Sequence, residues 1–196
     1  MAGSPSRSDG ADEVAGRPGQ AVVELRAHTT ADVDVLYAVA ADLGTWEERN
    51  PSLPSPLTRT AYEARLAQVD GGQDKGVTFV VEADGVAVGS VSLFSFDDLA
   101  RHAEVGIALL AEARGRGIGT AAIQQILEFA FVRCNLHRVH LQAIASNRAG
   151  IRAYEKAGFA VEGHLRDHAW VRGRYEDIVV MGLLRSESEA RNLSAG

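Results

Sequence analysis

Apolar and polar residues follow two different periods along this chain, and together they predict strands alternating with helices. The segments 77–83 and 86–94 alternate at every second residue and flank Asp84-Gly85, which is the pattern of a β-hairpin with a tight turn. Over 118–133 the apolar residues recur every three to four positions, which predicts an amphipathic helix. The full order is strand, two helices, three strands, helix, strand, helix and two strands, which is typical of a mixed α/β domain.

Shorter patterns define the remaining elements and the irregular segments. We predict further strands over 22–27, 102–110, 137–143 and 159–166, a last apolar strand before 185, and helices over 31–41, 59–69 and 147–158. Prolines within 46–56 exclude a helix or a central strand there, so this segment is predicted to be a loop. Residues 1–20 are expected to form a disordered tail, and residues 186–196 a polar C-terminal tail that frays.

The composition permits one substantial core. Of the 196 residues 46% are apolar, which suits a single domain that we place at 21–185. Residues 1–20 lack the apolar stretch of a signal peptide, and no run approaches the ~18 apolar residues of a membrane helix. The single cysteine, Cys134, excludes an internal disulfide and suits a reducing compartment. A cytoplasmic location without membrane contact is therefore expected.

Charge and histidine spacing narrow the classes of ligand. The net charge of −6 argues against a nucleic-acid partner and mildly favours a cationic substrate. His137 and His140 would point to opposite faces of a strand, and His164 and His168 lack a third ligand at a fixed spacing. No metal is expected.

A glycine-rich corner joins the strand 102–110 to the helix 118–133. It reads Arg114-Gly115-Arg116-Gly117-Ile118-Gly119-Thr120, and a helix start of this kind presents backbone N–H groups and the positive end of the helix dipole to an anion. The corner is not a P-loop, since the chain contains no such string ending in Gly-Lys-Ser/Thr. It is not a dinucleotide fingerprint either, because Thr120 and Ala122 stand where a third glycine is required.

A second motif follows the strand 137–143. It reads Asn147-Arg148-Ala149-Gly150-Ile151-Arg152-Ala153-Tyr154-Glu155-Lys156-Ala157-Gly158-Phe159. Asn147 suits a helix N-cap, Lys156 favours the last turn, and Gly158 can adopt the left-handed conformation that ends a helix. The motif therefore predicts a short helix capped at both ends.

These two motifs, in this order, resemble the acetyl-CoA segments of the GNAT N-acetyltransferase superfamily. Arg114, Gly117 and Gly119 match its pyrophosphate loop, and the pattern Asn-x-x-x-Ile-x-x-Tyr-Glu-Lys-x-Gly-Phe matches its second segment. The resemblance extends less specifically over 22–185, where the C-terminal part is similar to the branch of ribosomal-protein N-terminal and polyamine acetyltransferases. It implies a single α/β domain whose mixed, mostly antiparallel sheet has about six or seven strands, about four flanking helices and a splayed central pair of parallel strands.

The resemblance also implies acetyl-CoA as a co-substrate and indicates which residues contact it. A backbone N–H of Ile107 or Ala108 would meet the thioester carbonyl, unless the strand is unbroken and every amide is paired. The full implied set of acetyl-CoA-binding residues is Ile107, Ala108, Leu109, Arg114, Gly115, Arg116, Gly117, Ile118, Gly119, Thr120, Asn147, Ile151, Tyr154 and Lys156.

Two side chains are expected to move protons. Tyr154 matches the family position that protonates the leaving thiolate, and a phenol of pKa ~10 suits a thiol of pKa ~8.5; the alternative is a tyrosine that only packs its helix. Strand alternation puts Glu104 on the less apolar face, where it resembles the acidic position that some members use as general base, or else is a solvated carboxylate. His168 and Asp167 are weaker alternatives for the base.

The activity implied by the resemblance is acetyl transfer to a primary amine by direct attack in a ternary complex. A protein N-terminus, a polyamine, an aminoglycoside and a small amine metabolite all stay open as acceptors, and so does a homodimer. The expected acceptor-binding residues are Trp46, Glu47, Glu48 and His168, since an aromatic ring beside carboxylates can hold an ammonium group. The alternative is an acyl-CoA-binding sensor or assembly module without turnover.

Overall fold

Seven strands and six α-helices make up the part of the chain that the computed structural model describes, residues 21–49, 57–70 and 76–195. The strands are β1 (Val23–Arg26), β2 (Val77–Ala83), β3 (Val86–Asp97), β4 (His102–Leu109), β5 (Arg138–Ile144), β6 (Ala160–Val171) and β7 (Arg174–Leu184). The helices are α1 (Val33–Ala41), α2 (Leu43–Arg49), α3 (Arg59–Asp70), α4 (Ile118–Glu128), α5 (Arg148–Ala157) and α6 (Arg185–Ala195). This order confirms the predicted α/β class. No helix among these is long and apolar enough to cross a membrane.

The seven strands form one mixed sheet in the order β1-β2-β3-β4-β5-β7-β6. Neighbouring strands are antiparallel everywhere except between β4 and β5, which run parallel. That parallel pairing joins only residues 102–104 to residues 138–140, so the two strands separate beyond Glu104. The splayed central pair that the family resemblance implied is therefore confirmed.

A glycine lets β4 lie close against β3 where β4 leaves β5. Gly89 is the register partner of Leu109, near the end of β4. A Cβ at Gly89 would lie only 2.1 Å from the carbonyl oxygen of Ala108, so a larger residue there would push the two strands apart. The close spacing of β3 and β4 at this end of β4 thus depends on a missing side chain in β3.

One face of the sheet carries the main core. Alternation directs Ala103 and Val105 of β4 to this face, where both are buried against α4. Ile123 and Ile126 of α4 are fully buried there, and each contributes ~1.5–3 kcal/mol by burial. Helix α5 packs beside α4 and adds Tyr154 to the same core. Helices α1 and α2 pack against β3, β4 and β5 from the other face.

The predicted loop over 46–56 is only partly a loop. Residues 46–49 belong to α2, whose first turn is held by Asp42, and the segment 50–56 that contains the prolines lies outside the described residues. The prediction was wrong for 46–49 because a proline restricts its own backbone and that of the residue immediately before it. It does not prevent a helix that ends before that residue.

The C-terminal segment predicted as a fraying tail is helical as far as Ala195. The carboxylate of Glu187 accepts the backbone N–H of Leu184 at 2.9 Å, and Arg185 pairs with Glu189 one turn later at 2.8 Å. These local contacts stabilise a polar helix. The other predicted tail, residues 1–20, lies outside the described residues.

Candidate functional site

A cleft of about 720 Å³ opens where β4 and β5 separate. Its walls are the end of β4, the loop that follows, the first turn of α4 and the N-terminal part of α5. All of the predicted acetyl-CoA residues line this cleft except Arg116, Ile118 and Ile151. Arg116 instead lies near Asp84 on the surface, Ile118 is only 1% exposed, and Ile151 packs against the core.

The glycines of the corner turn the chain sharply into α4. Gly115 and Gly117 have φ angles of 73° and 82°, which residues with a side chain rarely adopt. Gly117 is the N-cap, and the N–H of Ala121 donates to its carbonyl at 3.1 Å. The N–H groups of the first helical turn, before Ala121, have no acceptor within the helix. Because Gly119 and Thr120 line the cleft, the positive end of the α4 dipole faces into it and would favour an anion there.

Basic side chains give the cleft a charge opposite to that of the whole chain. Arg114, Arg148, Arg152 and Lys156 line it, and none of the described Asp or Glu residues does. Three of these basic residues lie on α5 at every fourth position, so they form one stripe along the helix: Arg148, Arg152 and Lys156. In a chain of net charge −6, this is a local cationic site that suits a polyanionic ligand.

Helix α5 is capped as its sequence predicts. The side-chain oxygen of Asn147 accepts the N–H of Gly150 at 2.9 Å, and Gly158 ends the helix with a φ of 114°. The turn before the helix is also held from β7, where the buried carboxylate of Glu176 accepts the N–H of Ser146 at 3.1 Å. Hydrogen bonds from Ser146 and Arg174 hold the pKa of this carboxyl below its usual value.

Strand geometry selects one of the two candidate oxyanion donors. The N–H of Leu110 donates to the carbonyl of Val88 on β3 at 2.9 Å. Because N–H groups alternate in direction along a strand, the N–H of Ala108 also points to β3 and that of Ile107 points away from it. Pairing with β5 ends at Glu104, so the Ile107 N–H faces the gap between the strands.

Tyr154 is held by the core and lines the cleft. It is 9% exposed, and its ring packs edge-on against Phe159 with the centroids 6.1 Å apart. A ring fixed in this way can direct its hydroxyl with little loss of side-chain freedom.

Glu104 lies where the parallel pairing ends, on the face opposite the main core. Its register partner on β5 is His140, whose ring centroid is 5.2 Å from that of His102. Burial raises the pKa of the Glu104 carboxyl. Burial also lowers the pKa of the His140 imidazole, as do the nearby His102 and Arg138. A carboxylate of raised pKa beside a neutral imidazole is suited to accepting a proton.

Of the predicted acceptor-binding residues whose side chains the structure describes, neither Glu47 nor His168 lines the cleft. Glu47 lies on α2, where its carboxylate pairs with Arg172 of the β6–β7 turn at 3.3 Å. The side chains of Trp46 and Glu48 lie outside the described part of the structure. His168 is exposed on β6 and is not among the residues that line the cleft.

Seven cleft residues were missed by reasoning from the sequence: Thr45, Ser146, Arg148, Ala149, Gly150, Arg152 and Ala153. The four-residue spacing of Arg148, Arg152 and Lys156 was visible in the second motif and indicates one helix face. Thr45 carries no comparable signal, because only the packing of α2 against the rest of the fold brings it to the cleft, whereas Ser146 directly precedes the N-cap residue Asn147.

Comparison with known proteins identifies relatives of the chain. Residues 23–160 match a family model described as an acetyltransferase (GNAT) domain. The spermidine N(1)-acetyltransferase of Vibrio cholerae is 34% identical over 110 residues, which are 56% of this chain and 64% of that protein. The putative ribosomal N-acetyltransferase YdaF of Bacillus subtilis is 37% identical over 106 residues, which are 54% of this chain and 58% of that protein. The matches thus span less than two thirds of the length of these relatives.

The fold has solved counterparts too. A spermidine N-acetyltransferase from Vibrio cholerae, solved in complex with CoA and spermine, superposes with a TM-score of 0.77 at 26% identity, covering 85% of this chain and 98% of the other. The resemblance first seen in the two motifs is therefore confirmed. Because the family model covers more than half of the residues and the fold agrees, the chain belongs to the acetyltransferase (GNAT) domain family.

Proposed function

We propose that this protein is an N-acetyltransferase that transfers the acetyl group of acetyl-CoA to a primary amine. The observation that carries the proposal is a cleft lined by basic residues in a chain of net negative charge. This cleft extends from the glycine-rich turn at the start of α4 to the gap between β4 and β5. One end of this cleft suits a pyrophosphate, and the other suits a thioester.

The two ends bind different parts of acetyl-CoA. The first turn of α4, from Gly117 to Thr120, provides N–H donors for the pyrophosphate. The stripe on α5 adds positive charge along the same wall. The acetyl group then extends into the gap between the strands, where the N–H of Ile107 can donate to the thioester carbonyl oxygen.

Three groups act on the reacting atoms in this proposal. Glu104 accepts a proton from the ammonium group, directly or through water, so that the free amine attacks the thioester carbon. The N–H of Ile107 stabilises the negative charge that develops on the carbonyl oxygen. As the carbon–sulfur bond breaks and the carbon–nitrogen bond remains, the hydroxyl of Tyr154 gives its proton to the sulfur, and the second proton that leaves the amine nitrogen restores the phenol. Positioning accounts for much of the rate, because the thioester is already activated.

The acceptor approaches from the sheet face that carries Glu104 and α2. The relatives are named for spermidine and, in one case, for the ribosome. We therefore propose a polyamine or a protein N-terminus as acceptor, with aminoglycosides and small amine metabolites as the other classes to test.

A thiol-release assay tests the proposal. The purified chain is incubated with acetyl-CoA and spermidine, a ribosomal-protein N-terminal peptide, an aminoglycoside or a small amine, and the N-acetyl product is identified by mass spectrometry. We expect release of one thiol per acetylated amine for one class. CoA binding without thiol release for any amine would favour the sensor or assembly module. Absence of CoA binding in calorimetry would overturn both.

A further inference from the structure

Arg114, the first residue of the pyrophosphate loop, is held at two points. Its Nε–H donates to the carbonyl oxygen of Leu109, the last residue of β4, at 3.1 Å. One of its Nη–H groups donates to the hydroxyl oxygen of Thr45 at 2.6 Å. The second contact crosses from the cofactor side of the cleft to α2, which belongs to the other face of the sheet.

Thr45 is itself held in one orientation. It is 5% exposed, and the carboxylate of Asp42 accepts both its backbone N–H at 2.7 Å and its hydroxyl at 2.5 Å. The Thr45 hydroxyl therefore donates its proton to Asp42, and its oxygen can accept a hydrogen bond from Arg114. These hydrogen bonds, with a smaller contribution from the charge of Arg114, lower the pKa of the Asp42 carboxyl.

We propose that Asp42 and Thr45 are positioning residues that set the guanidinium of Arg114 at the rim of the cleft, so that CoA affinity depends on a hydroxyl group of α2. This inference rests on the proposed function. An arginine side chain has many rotamers, and a contact that selects one before binding lowers the entropic cost of binding a phosphate. Helix α2 is held on its other side by the pair of Glu47 and Arg172. The cofactor loop and the β6–β7 turn therefore contact one short helix.

Substitutions that separate the hydroxyl from the shape of the side chain test this inference. Thr45→Val keeps the shape and removes the hydroxyl, whereas Thr45→Ser keeps the hydroxyl. By calorimetric titration with CoA, we expect Thr45→Val to weaken binding about 5- to 20-fold and Thr45→Ser to stay within about twofold of the wild type. If Thr45→Val does not fold, Thr45→Ala removes the same hydroxyl with less bulk, and the same weakening is expected.

A double-mutant cycle tests whether Thr45 acts through Arg114. Arg114→Gln should weaken CoA binding by itself, and adding Thr45→Val should produce little further loss. Fully additive losses would overturn the positioning role. Thr78→Val is the matched control, because the Thr78 hydroxyl bonds Ser92 at 2.9 Å between β2 and β3, at residues that do not line the cleft.

The outcomes separate this inference from the proposed function. Wild-type affinity in a folded Thr45→Val protein would overturn the inference and leave the proposed function intact. A wild-type protein that does not bind CoA would overturn the proposed function itself. Weakened binding in Thr45→Val that Thr45→Ser restores would support both.

Discussion

The two sides of the proposed site differ in the chemical groups that form them. The acetyl-CoA side consists largely of backbone N–H groups at a helix start, with a stripe of basic residues from one helix. The acceptor side that we propose consists of side chains from separate elements, with Glu104 on β4 opposite His140 on β5, and Glu47 on α2 paired with Arg172. The first side is therefore a local property of short runs of consecutive residues, whereas the second exists only after the sheet has formed.

Substitutions should therefore separate into two groups. On the acceptor side and at the reacting atoms, they should change turnover or the KM of the amine and leave CoA affinity unchanged. On the acetyl-CoA side, they should change CoA affinity first.

Removing the hydroxyl of Tyr154 should have the largest effect. Tyr154→Phe keeps the ring and its packing on Phe159, so folding and CoA affinity should change little. Turnover should fall about 10- to 1000-fold, because the leaving thiolate loses its proton donor. Steady-state kinetics and calorimetry measure the two quantities.

A matched control for Tyr154→Phe is Tyr37→Phe, which removes a hydroxyl that bonds the carbonyl of Leu57 in another part of the fold. The defect should shrink with an acyl donor whose thiol has a lower pKa, since such a thiolate departs with less help. An equal defect with both donors would contradict the general-acid role.

Neutralising Glu104 should change the pH profile as well as the rate. A general base works in its deprotonated form, so the raised pKa of Glu104 should produce an acidic limb above the ordinary value of ~4.3, with activity falling as the pH drops through it. Glu104→Gln should remove that limb and lower kcat/KM about 10- to 100-fold at neutral pH. Partial recovery is expected at high pH, where the amine is already deprotonated.

The control for Glu104→Gln is Glu63→Gln, on the exposed surface of α3. Both variants are compared by kcat/KM over the pH range in which the protein stays folded. A loss of constant size at every pH would mean that Glu104 orients the substrate and does not accept its proton.

A side chain at Gly119 should weaken CoA binding without unfolding the protein. A Cβ at this position would meet the side chain of Leu109 at 3.6 Å, an ordinary contact, so the fold tolerates it. We expect Gly119→Val to change the free energy of unfolding by no more than about 1 kcal/mol, and to weaken CoA binding about tenfold by blocking the approach of the pyrophosphate.

Gly163→Val is the control for Gly119→Val, because a Cβ at Gly163 on β6 meets no atom within 4 Å. Denaturant titration and calorimetry give the two free energies. Unchanged CoA affinity in folded Gly119→Val would contradict the pyrophosphate assignment.

The smallest effect is expected from Glu47→Gln. Its ion pair with Arg172 is partly exposed, and pairs of this kind contribute ~0–1 kcal/mol. The thermal midpoint should therefore hardly move. If α2 borders the acceptor, the KM of the amine should rise about two- to fivefold while CoA affinity stays constant. A weakened CoA affinity with an unchanged amine KM would place Glu47 on the acetyl-CoA side instead.

Local features of the site were predictable because neighbours in sequence carry them. A few consecutive residues with one preferred backbone conformation determine each of three such features: the N-cap of α5 at Asn147, the end of α5 at Gly158 and the turn at Gly117. The splay of β4 from β5 was implied by the family resemblance, and the register that ends at Glu104 confirms it.

Other features were not predictable from the same patterns. The pairing of Glu104 with His140 depends on the parallel register, since alternation along each strand indicates which residues share a face but not which residue of the other strand each one pairs with. The helix that contains Glu47 was obscured by the prolines that follow it, and the polar composition after residue 185 concealed a capped helix.

The sequence by itself determined the glycine-rich corner, the capped helix α5 and the α/β order, because backbone conformation and hydrophobic periodicity act over a few neighbouring residues. Only the tertiary structure decided that Thr45 would meet Arg114, and that Ile107 and not Ala108 would face the gap between the strands. Such contacts join residues far apart in the chain. Their geometry follows from strand register and helix packing, to which every residue of the core contributes.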